Sequence, residues 1–242
     1  MNNLSMTNLS VLKGIRAAII DLDGTMIETI PDFLVAINRM REEFELAALD
    51  DGQIRRLIGK GSENLIRNIL AIDFDAARVE LHFDAAMASY QRHYLSINGD
   101  YSTLFEGVIA GLDAMKAAGL RLACVTNKPI GFTLPLLRQK GLDGYFDVVY
   151  GGDSLPKKKP DPMPLLQVCS DFDLSPRQVL AIGDSSNDVQ AARAAGCPVL
   201  TVPYGYNHGH PIHEANSDGI VDSLLDAASL IGLHNPTDAT AH

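Results

Sequence analysis

The sequence predicts an α/β fold in which a Rossmann-like parallel sheet, the core, carries an inserted all-helical cap domain. Short β-rich runs alternate with amphipathic stretches over most of the chain, which is typical of a parallel sheet flanked by helices. One interval in the first half breaks this alternation and resembles a run of consecutive helices. With 242 residues, the chain is long enough for one α/β core and a smaller inserted module.

The elements of the core follow one another in a regular order. The predicted strands are short and apolar, and they run from Ala17 to Asp21, Leu122 to Thr126, Val148 to Tyr150, Val179 to Ile182 and Val199 to Val202. The amphipathic stretches between them predict helices from Val108 to Ala118, Phe132 to Lys140, Pro164 to Ser170 and Asn187 to Ala195. Several of these helices end before a glycine, a common helix stop: Gly119, Gly141 and Gly196.

The helical insert is predicted between about Phe33 and Ser96, where no convincing strand occurs. Pro31 marks its beginning and the Asn-Gly-Asp turn after Ile97 marks its end. We therefore expect a core domain of residues 1–30 and 101–242 and a cap domain of residues 31–100. A helical lid beside a sheet would be able to close over a small ligand. The last eight residues, 235–242, are expected to form a frayed tail.

Charge and composition exclude several classes of protein. The net charge of -10 and the pI near 5.0 argue against a nucleic-acid partner, since such proteins need a basic surface. Three cysteines without paired spacing indicate buried thiols in a reducing compartment. Neither a signal peptide nor an apolar run of transmembrane length is recognisable. We therefore expect a cytoplasmic protein without a membrane partner.

Polar residues follow three of the predicted strands. The first strand continues into Asp21-Leu-Asp23-Gly-Thr, the second into Thr126-Asn-Lys-Pro, and the fourth into Gly-Asp184-Ser-Ser-Asn-Asp188. Ligands of open α/β sheets bind beyond the carboxyl ends of the strands, so these side chains are expected to converge. Carboxylates that converge repel one another unless a cation keeps them ionised. Mg²⁺ suits such a site because it prefers oxygen ligands and bridges carboxylates to phosphates.

Each motif taken alone has an ordinary explanation. Asp21-x-Asp23-Gly is also a common turn sequence, although an EF-hand is excluded because Met26 stands where that loop needs glycine. The lysines before Pro160 resemble a solvated charge run, and Thr126 could simply cap the following helix. Their joint occurrence at strand ends, in chain order, indicates a functional site.

Together these motifs resemble those of the haloacid dehalogenase superfamily, in the branch with a helical cap inserted after the first motif. The motifs are Asp21-x-Asp23-Gly24-Thr25, Thr126-Asn127-Lys128, Lys159-Pro160 and Gly183-Asp184-x-x-x-Asp188. The likeness extends from about Ala17 to Asn207, and the segments Lys159 to Leu165 and Pro203 to Asn207 are most similar to bacterial phosphoglycolate phosphatases. This resemblance implies a Mg²⁺-dependent phosphatase for a small phosphorylated metabolite, with 2-phosphoglycolate as the expected substrate.

The resemblance also implies roles for the residues. Asp21 would be the nucleophile that forms an aspartyl-phosphate, and Asp23 the general acid and base. Mg²⁺ would be held by the Asp21 carboxylate, the Asp23 carbonyl and Asp184. The remaining expected roles are orientation of the metal shell by Asp188, and phosphoryl binding by Thr126, the Asn127 amide and Lys159.

Two further sequence features have alternative interpretations. Lys60, in Gly59-Lys-Gly61, lies between two helical segments of the cap, where it would either contact a substrate carboxylate or sit on a plain helix–helix turn. His208, His210 and His213 have a spacing that could suggest a zinc site, but they lie in a Gly/Pro-rich loop without an obvious fourth ligand.

The same motifs are also compatible with other functions. A different superfamily activity, such as a sugar-phosphate phosphatase, a pyrophosphatase or a mutase, is compatible with the motifs. Asp23 argues against a dehalogenase, which protonates no alkoxide, and against a phospho-switch, because an acid/base carboxylate shortens the life of a phosphoenzyme. A non-catalytic metabolite-binding protein is disfavoured by the intact motifs. The sequence is compatible with either a monomer or a homodimer.

Overall fold

The central sheet has six parallel strands. The computed structural model describes residues 12–234, so the predicted tail at 235–242 and residues 1–11 lie outside it. Within that range the strands have the spatial order β5-β4-β1-β6-β7-β8. They are β1 (Ala17–Ile20), β4 (Arg121–Val125), β5 (Val148–Tyr150), β6 (Val179–Gly183), β7 (Val199–Thr201) and β8 (Gly219–Ile220). This sheet confirms the predicted α/β fold class with a Rossmann-like core.

Helices cover both faces of the sheet. They are α5 (Val108–Ala117), α6 (Ile130–Gln139), α7 (Met163–Phe172), α8 (Ser186–Ala195) and α9 (Leu224–His234). Successive side chains of a strand point to opposite faces, and in β1 this separates two clusters. Ala18 and Ile20 pack in one apolar cluster with α5, α6 and α9, whereas Ala17 and Ile19 pack in another with α7 and α8. The central strands β1 and β6 are apolar and buried along their whole length, because helices cover both faces there.

A helical segment interrupts the alternation directly after β1. Two short antiparallel strands, β2 (Ile27–Glu28) and β3 (Thr103–Leu104), pair with each other where the chain leaves and re-enters the core. Between them lie α1 (Ile30–Glu43), α2 (Asp51–Arg55), α3 (Ser62–Leu70) and α4 (Ala76–Ile97). These helices bury an apolar cluster of their own, to which Phe132 and Tyr206 of the core also contribute.

Asp32 joins the two connections of this helical segment. Its buried carboxylate accepts hydrogen bonds from the main-chain N–H groups of Gly99 and Tyr101, both at 2.8 Å, and from the hydroxyl of Ser102. A carboxylate that accepts several such bonds is well compensated for its burial. The first helix is thereby fixed to the segment that returns to the core.

Cys124, Cys169 and Cys197 are all buried and free, as predicted. Among the helices of residues 12–234, none combines the length and apolar character needed to cross a membrane.

Candidate active site

Three strand ends meet at the carboxyl edge of the sheet. β4, β1 and β6 are neighbours in the sheet, and each is followed by polar residues. Asp21 and Asp23 follow β1, Thr126 and Asn127 follow β4, and Asp184 follows β6. The parallel strands therefore bring together residues from three distant segments of the chain.

Lys159 is the buried cation at the centre of this site. Its Nζ donates hydrogen bonds to Asp21 Oδ1 and Asp188 Oδ1, both at 2.7 Å, and to the main-chain carbonyl that ends β4, at 2.6 Å. The Lys159 side chain is only 5% exposed, whereas Lys157 is exposed to solvent. A lysine buried to this extent needs anionic partners, and here it has two.

Asp184 is held by neutral donors. Its Oδ2 accepts the main-chain N–H of Tyr206 at 2.6 Å, and its Oδ1 accepts the hydroxyl of Thr25 at 3.3 Å. Glycines allow the main chain to approach it: a Cβ at Gly24 or Gly205 would lie 2.4 or 2.1 Å from Asp184 Oδ2. Gly24 also has a φ of 87°, in the left-handed region that favours glycine.

Burial controls the charges of this cluster. Burial raises the pKa of Asp21 to about 7, although Lys159 acts in the opposite direction, and Asp188 raises it further. Burial, Asp21 and Asp188 together raise the pKa of Asp184 well above its usual range. Burial lowers the pKa of Lys159, but Asp188 and Asp21 outweigh this and leave it above its ordinary value. Three buried carboxylates therefore share a single buried lysine in this cluster, which leaves a deficit of positive charge.

A hard divalent cation fits this deficit. Asp21, Asp184 and Asp188 each offer one oxygen, and these oxygens lie within 4.8 Å of one another. Within residues 12–234, no other group of three or more His, Cys, Asp or Glu side chains has a comparable arrangement. The donors are all carboxylate oxygens, the ligand type that Mg²⁺ prefers.

Asp188 is already engaged through both of its oxygens. Oδ1 accepts from Lys159, while Oδ2 accepts the hydroxyl of Ser185 at 2.6 Å and the Ser185 N–H at 3.1 Å. The contacts with Ser185 form a capping box that begins α8. Asp188 is thus fixed in place by its own helix terminus, which suits a residue that positions its neighbours.

The cap loop around Gly59 is hydrogen-bonded to the core. The carbonyl of Gly59 accepts from Asn127 Nδ2 and from Asn187 Nδ2, both at 3.0 Å. Asn127 Nδ2 also donates to the Lys159 carbonyl at 2.9 Å, so one amide links the cap, β4 and the Lys159 loop. Thr126 is buried, and its Oγ1 accepts the N–H of Lys128 at 3.2 Å.

Lys128 is a second buried lysine, and its motif in the sequence did not indicate a role for it. Its Nζ lies 3.0 Å from Asp23 Oδ1 and 2.6 Å from the hydroxyl of Tyr94, which belongs to α4 of the cap. It also lies 4.6 Å from the ring centroids of Phe33 and Tyr94. The signal available in the sequence was its position directly after Thr126-Asn127, at a strand end that already carried polar residues.

Two adjoining cavities lie at this edge of the sheet. The first, which we call the core cavity, is lined by Asp21, Asp184 and Asp188 together with Lys159, Asn187 and His208. The second, the cap cavity, is lined by Lys128 of the core and by cap residues including Phe33 and Tyr90. Asp23 lines both cavities.

The remaining predicted residues lie at the margin of the site. Lys60 is exposed and does not line either cavity as the described residues form them. His208 is half-buried against Gly59, and its pKa is lowered by burial first and then by the charge of Lys60. His210 and His213 are exposed, and the described structure does not bring the three histidines into one ligand group.

Comparison with known proteins identifies a family. The family model described as haloacid dehalogenase-like hydrolase matches residues 18–202, which is most of the chain. The matched range includes all the predicted site residues, from Asp21 to Asp188.

Individual relatives carry a more specific name. The phosphoglycolate phosphatase of Thiobacillus denitrificans is 47% identical over 217 residues, covering 90% of this chain and 96% of that protein. The phosphoglycolate phosphatase of Nitrosospira multiformis is 49% identical over 217 residues, which again cover 90% of this chain and 96% of that protein. A crystal structure of a predicted phosphoglycolate phosphatase from Haemophilus somnus superimposes with a TM-score of 0.86 at 33% identity, covering 90% of this chain and 98% of that one.

Proposed function

Because the chain belongs to the haloacid dehalogenase-like hydrolase family and is a phosphatase, we propose that it hydrolyses 2-phosphoglycolate to glycolate and phosphate with Mg²⁺, through an aspartyl-phosphate on Asp21. One observation carries the chemical part of this proposal. Asp21 lies at the end of β1 with Lys159 at 2.7 Å and two further buried carboxylates within metal-binding reach. The substrate is proposed from the names of the relatives.

In the first proposed step, an Asp21 carboxylate oxygen attacks phosphorus in line with the ester bond. A bond forms between that oxygen and phosphorus, and the bond from phosphorus to the glycolate oxygen breaks. Asp23 gives its proton to the departing alkoxide, a form of help that is typically worth ~10² to 10⁴ in rate. Asp23 is two residues beyond Asp21 and reaches both cavities, which suits this task.

In the second step, Asp23 takes a proton from a water molecule, whose oxygen attacks phosphorus. The bond to Asp21 breaks, the carboxylate is restored and inorganic phosphate leaves. The Thr126 hydroxyl and the Asn127 amide are proposed to hold the phosphoryl oxygens through both steps, and Lys159 is proposed to offset the negative charge of Asp21 and of the phosphoryl group from its place beside Asp21. Charge and positioning dominate phosphoryl transfer, so these fixed donors are expected to contribute strongly.

Mg²⁺ would be held by the Asp21 carboxylate, the Asp23 carbonyl and Asp184, and when bound it would offset negative charge on the phosphoryl group. Asp188 is proposed to act from outside this shell, because Lys159 and Ser185 already occupy its oxygens. Asp188 would then keep Lys159 directed at the nucleophile.

We propose that residues 31–100 form a cap domain, and that residues 1–30 and 101–242 form the core. Lys60, exposed on the cap loop, is proposed to attract the substrate carboxylate as it enters the site, since it directly follows Gly59, which lines both cavities. The buried free thiols are consistent with a reducing compartment, and we propose the cytoplasm.

Phosphate release from a panel of esters tests this proposal. The purified protein is assayed with 2-phosphoglycolate, sugar phosphates, pyrophosphate and nucleotides, with Mg²⁺ or with EDTA. We expect the highest kcat/KM for 2-phosphoglycolate, loss of turnover with EDTA, and loss of turnover in Asp21→Asn. A higher kcat/KM for another ester would contradict the proposed substrate and leave the phosphatase mechanism standing.

A further inference from the structure

Lys128 is a deeply buried cation that the proposed mechanism does not use. Its side chain is 2% exposed, and its ammonium group lies between the carboxylate of Asp23 and the hydroxyl of Tyr94. The rings of Phe33 and Tyr94 complete its surroundings at 4.6 Å. Burial of an ammonium group is costly, so a position of this kind calls for an explanation beyond packing.

The two buried lysines of the site differ in how fully the protein satisfies them. Lys159 donates to two carboxylates and a main-chain carbonyl, which uses all three of its N–H groups. Within the described structure, Lys128 donates to two side chains: to the Tyr94 hydroxyl at 2.6 Å, and to the Asp23 carboxylate at 3.0 Å for Oδ1 and 3.4 Å for Oδ2. The two contacts with Asp23 share one donor, since the longer one is at the limit of a hydrogen bond. An ammonium group has three donors, so one donor of Lys128 remains for a ligand oxygen.

The location of Lys128 indicates which part of a ligand it would meet. It lines the cap cavity, and among the described residues that line this cavity it is the only cation. Asp23, its partner, is the residue proposed to protonate the leaving oxygen. Atoms attached to that oxygen therefore lie next to Asp23 and within reach of Lys128. Phosphorus and the three phosphoryl oxygens, in contrast, belong on the side of Asp21 and Lys159.

We propose that Lys128 binds an anionic group of the leaving alcohol, and that this contact makes the enzyme selective for phosphate esters of small hydroxy acids. The inference rests on the proposed function, in which that group is the carboxylate of 2-phosphoglycolate. The carboxylate accepts a hydrogen bond from the Lys128 ammonium group in a region where aromatic rings exclude water. An ion pair of this kind is stronger than the same contact in solvent.

An ester without the carboxylate cannot make this contact. Its leaving group would place an apolar atom beside a buried ammonium group, so that one donor stays unsatisfied. Sites that hydrogen-bond a specific substrate group discriminate strongly against analogues that lack the group. Ethyl phosphate is the matched probe, because it replaces the carboxylate of 2-phosphoglycolate with a methyl group and keeps the alkyl phosphate unchanged.

The experiment compares kcat/KM for 2-phosphoglycolate and ethyl phosphate in the unaltered enzyme and in Lys128→Met. We expect the substitution to lower kcat/KM for 2-phosphoglycolate by about 100-fold more than for ethyl phosphate, as the loss of one charge-assisted hydrogen bond predicts. Any effect through the lost contact with Asp23 falls on both esters, so the ratio isolates the contact with the leaving group.

Lys157→Met is the matched control, since it removes an exposed lysine charge that lines neither cavity of the described structure. We expect it to change the ester ratio less than tenfold, because an exposed charge is screened by solvent. Lys128→Gln, which keeps a hydrogen-bond donor without the charge, is the second variant if Lys128→Met folds poorly. The thermal unfolding midpoint of each variant identifies poor folding.

Equal losses for the two esters in Lys128→Met and Lys128→Gln would overturn the inference and leave Lys128 as a structural partner of Asp23. A failure of the proposed function is separate, because it appears in the unaltered enzyme. Should that enzyme hydrolyse both esters with equal kcat/KM, the hydroxy-acid substrate and the inference are both wrong, while the phosphatase activity itself stands.

Discussion

The candidate active site contains two buried lysines that belong to different halves of it. The half that we propose to hold metal, called the metal half, consists of Lys159 and three carboxylates, all from the core: Asp21, Asp184 and Asp188. The half that we propose to surround the leaving group, called the leaving-group half, consists of Lys128 and Asp23 from the core together with Tyr94 and Phe33 from the cap. The metal half needs only residues of the core, whereas the leaving-group half needs residues of both the core and the cap.

This difference separates the chemistry from the choice of substrate. Every phosphate ester presents the same phosphoryl group to the metal half, so a change there should affect all esters alike. Esters differ in the alcohol, which the leaving-group half surrounds. A change in that half should alter the ratio of kcat/KM between esters, as proposed for Lys128. The following predictions test this division.

The largest effect is expected for Lys159→Met. The substitution leaves Asp21 and Asp188 buried without their cation, which costs about 3 to 5 kcal/mol of the free energy of unfolding. It also removes a cation from the developing phosphoryl charge and should lower kcat by about 10³-fold for 2-phosphoglycolate and ethyl phosphate alike. Denaturant unfolding and steady-state assays measure the two effects.

Lys157→Met is the control for that experiment, since Lys157 lies two residues earlier and is exposed. It should change the free energy of unfolding by less than about 0.5 kcal/mol. If Lys159→Met changed the ratio of kcat/KM between the two esters by more than tenfold, the proposed division into a metal half and a leaving-group half would be wrong.

The next effect concerns Mg²⁺ and pH. Without metal, burial raises the pKa of Asp21 from 3.8 to about 7, so the folded protein holds this proton more tightly than the unfolded chain. The protonated Asp21 carboxyl therefore stabilises the folded protein. This stabilisation is fully present below about pH 4 and is lost as the pH rises through about 7. Mg²⁺ must displace the proton, so its affinity should fall roughly tenfold per pH unit below pH 7.

Titration calorimetry at about pH 6 and about pH 8, in buffers of different ionisation enthalpy, measures this affinity and the proton release. Asp184→Asn is the control, because it removes a proposed ligand and should weaken Mg²⁺ binding at both pH values. A Mg²⁺ affinity that does not change between these pH values would contradict the raised pKa of Asp21.

The smallest effect is expected at the contact between the cap loop around Gly59 and the core. Asn187→Ala removes one of the two amide donors to the Gly59 carbonyl and leaves the donor from Asn127. The loss of one hydrogen bond, worth about 1 kcal/mol, should lower kcat/KM for both esters by about fivefold. Their ratio should stay within twofold. A larger change in the ratio of kcat/KM between the esters would mean that this hydrogen bond also affects binding of the leaving group.

The sequence was sufficient to predict the sheet and the polar side chains that meet at its carboxyl edge. Parallel strands buried on both faces are continuously apolar, and each of β1, β4 and β6 ends in a polar motif, so strand order and chemistry appear in the same short segments. The short strands β2, β3 and β8 were not predicted, because two residues each give no periodicity to detect.

Asp23 of the leaving-group half was predicted from its motif, but the contacts of Lys128 with the cap could not be predicted from the sequence. The contact between Lys128 and Tyr94 joins a core loop to a cap helix, and nothing local in either segment indicates the other. Tyr94 and Phe33 lie on amphipathic helices, where an aromatic residue ordinarily predicts only burial. Likewise, Tyr206 lies in the loop after β7, and its N–H reaches Asp184 only because the main chain at Gly205 passes close to the Asp184 carboxylate.

The central claim is that Asp21 itself carries the phosphoryl group during turnover. Acid quenching of the enzyme during hydrolysis of ³²P-labelled 2-phosphoglycolate, followed by peptide mapping, tests this directly. We predict label on the peptide that contains Asp21, dependent on Mg²⁺ and absent in Asp21→Asn. Asp23→Asn should retain more label, because its second step lacks a base. Turnover with label on another residue, or persisting in Asp21→Asn, would contradict the account.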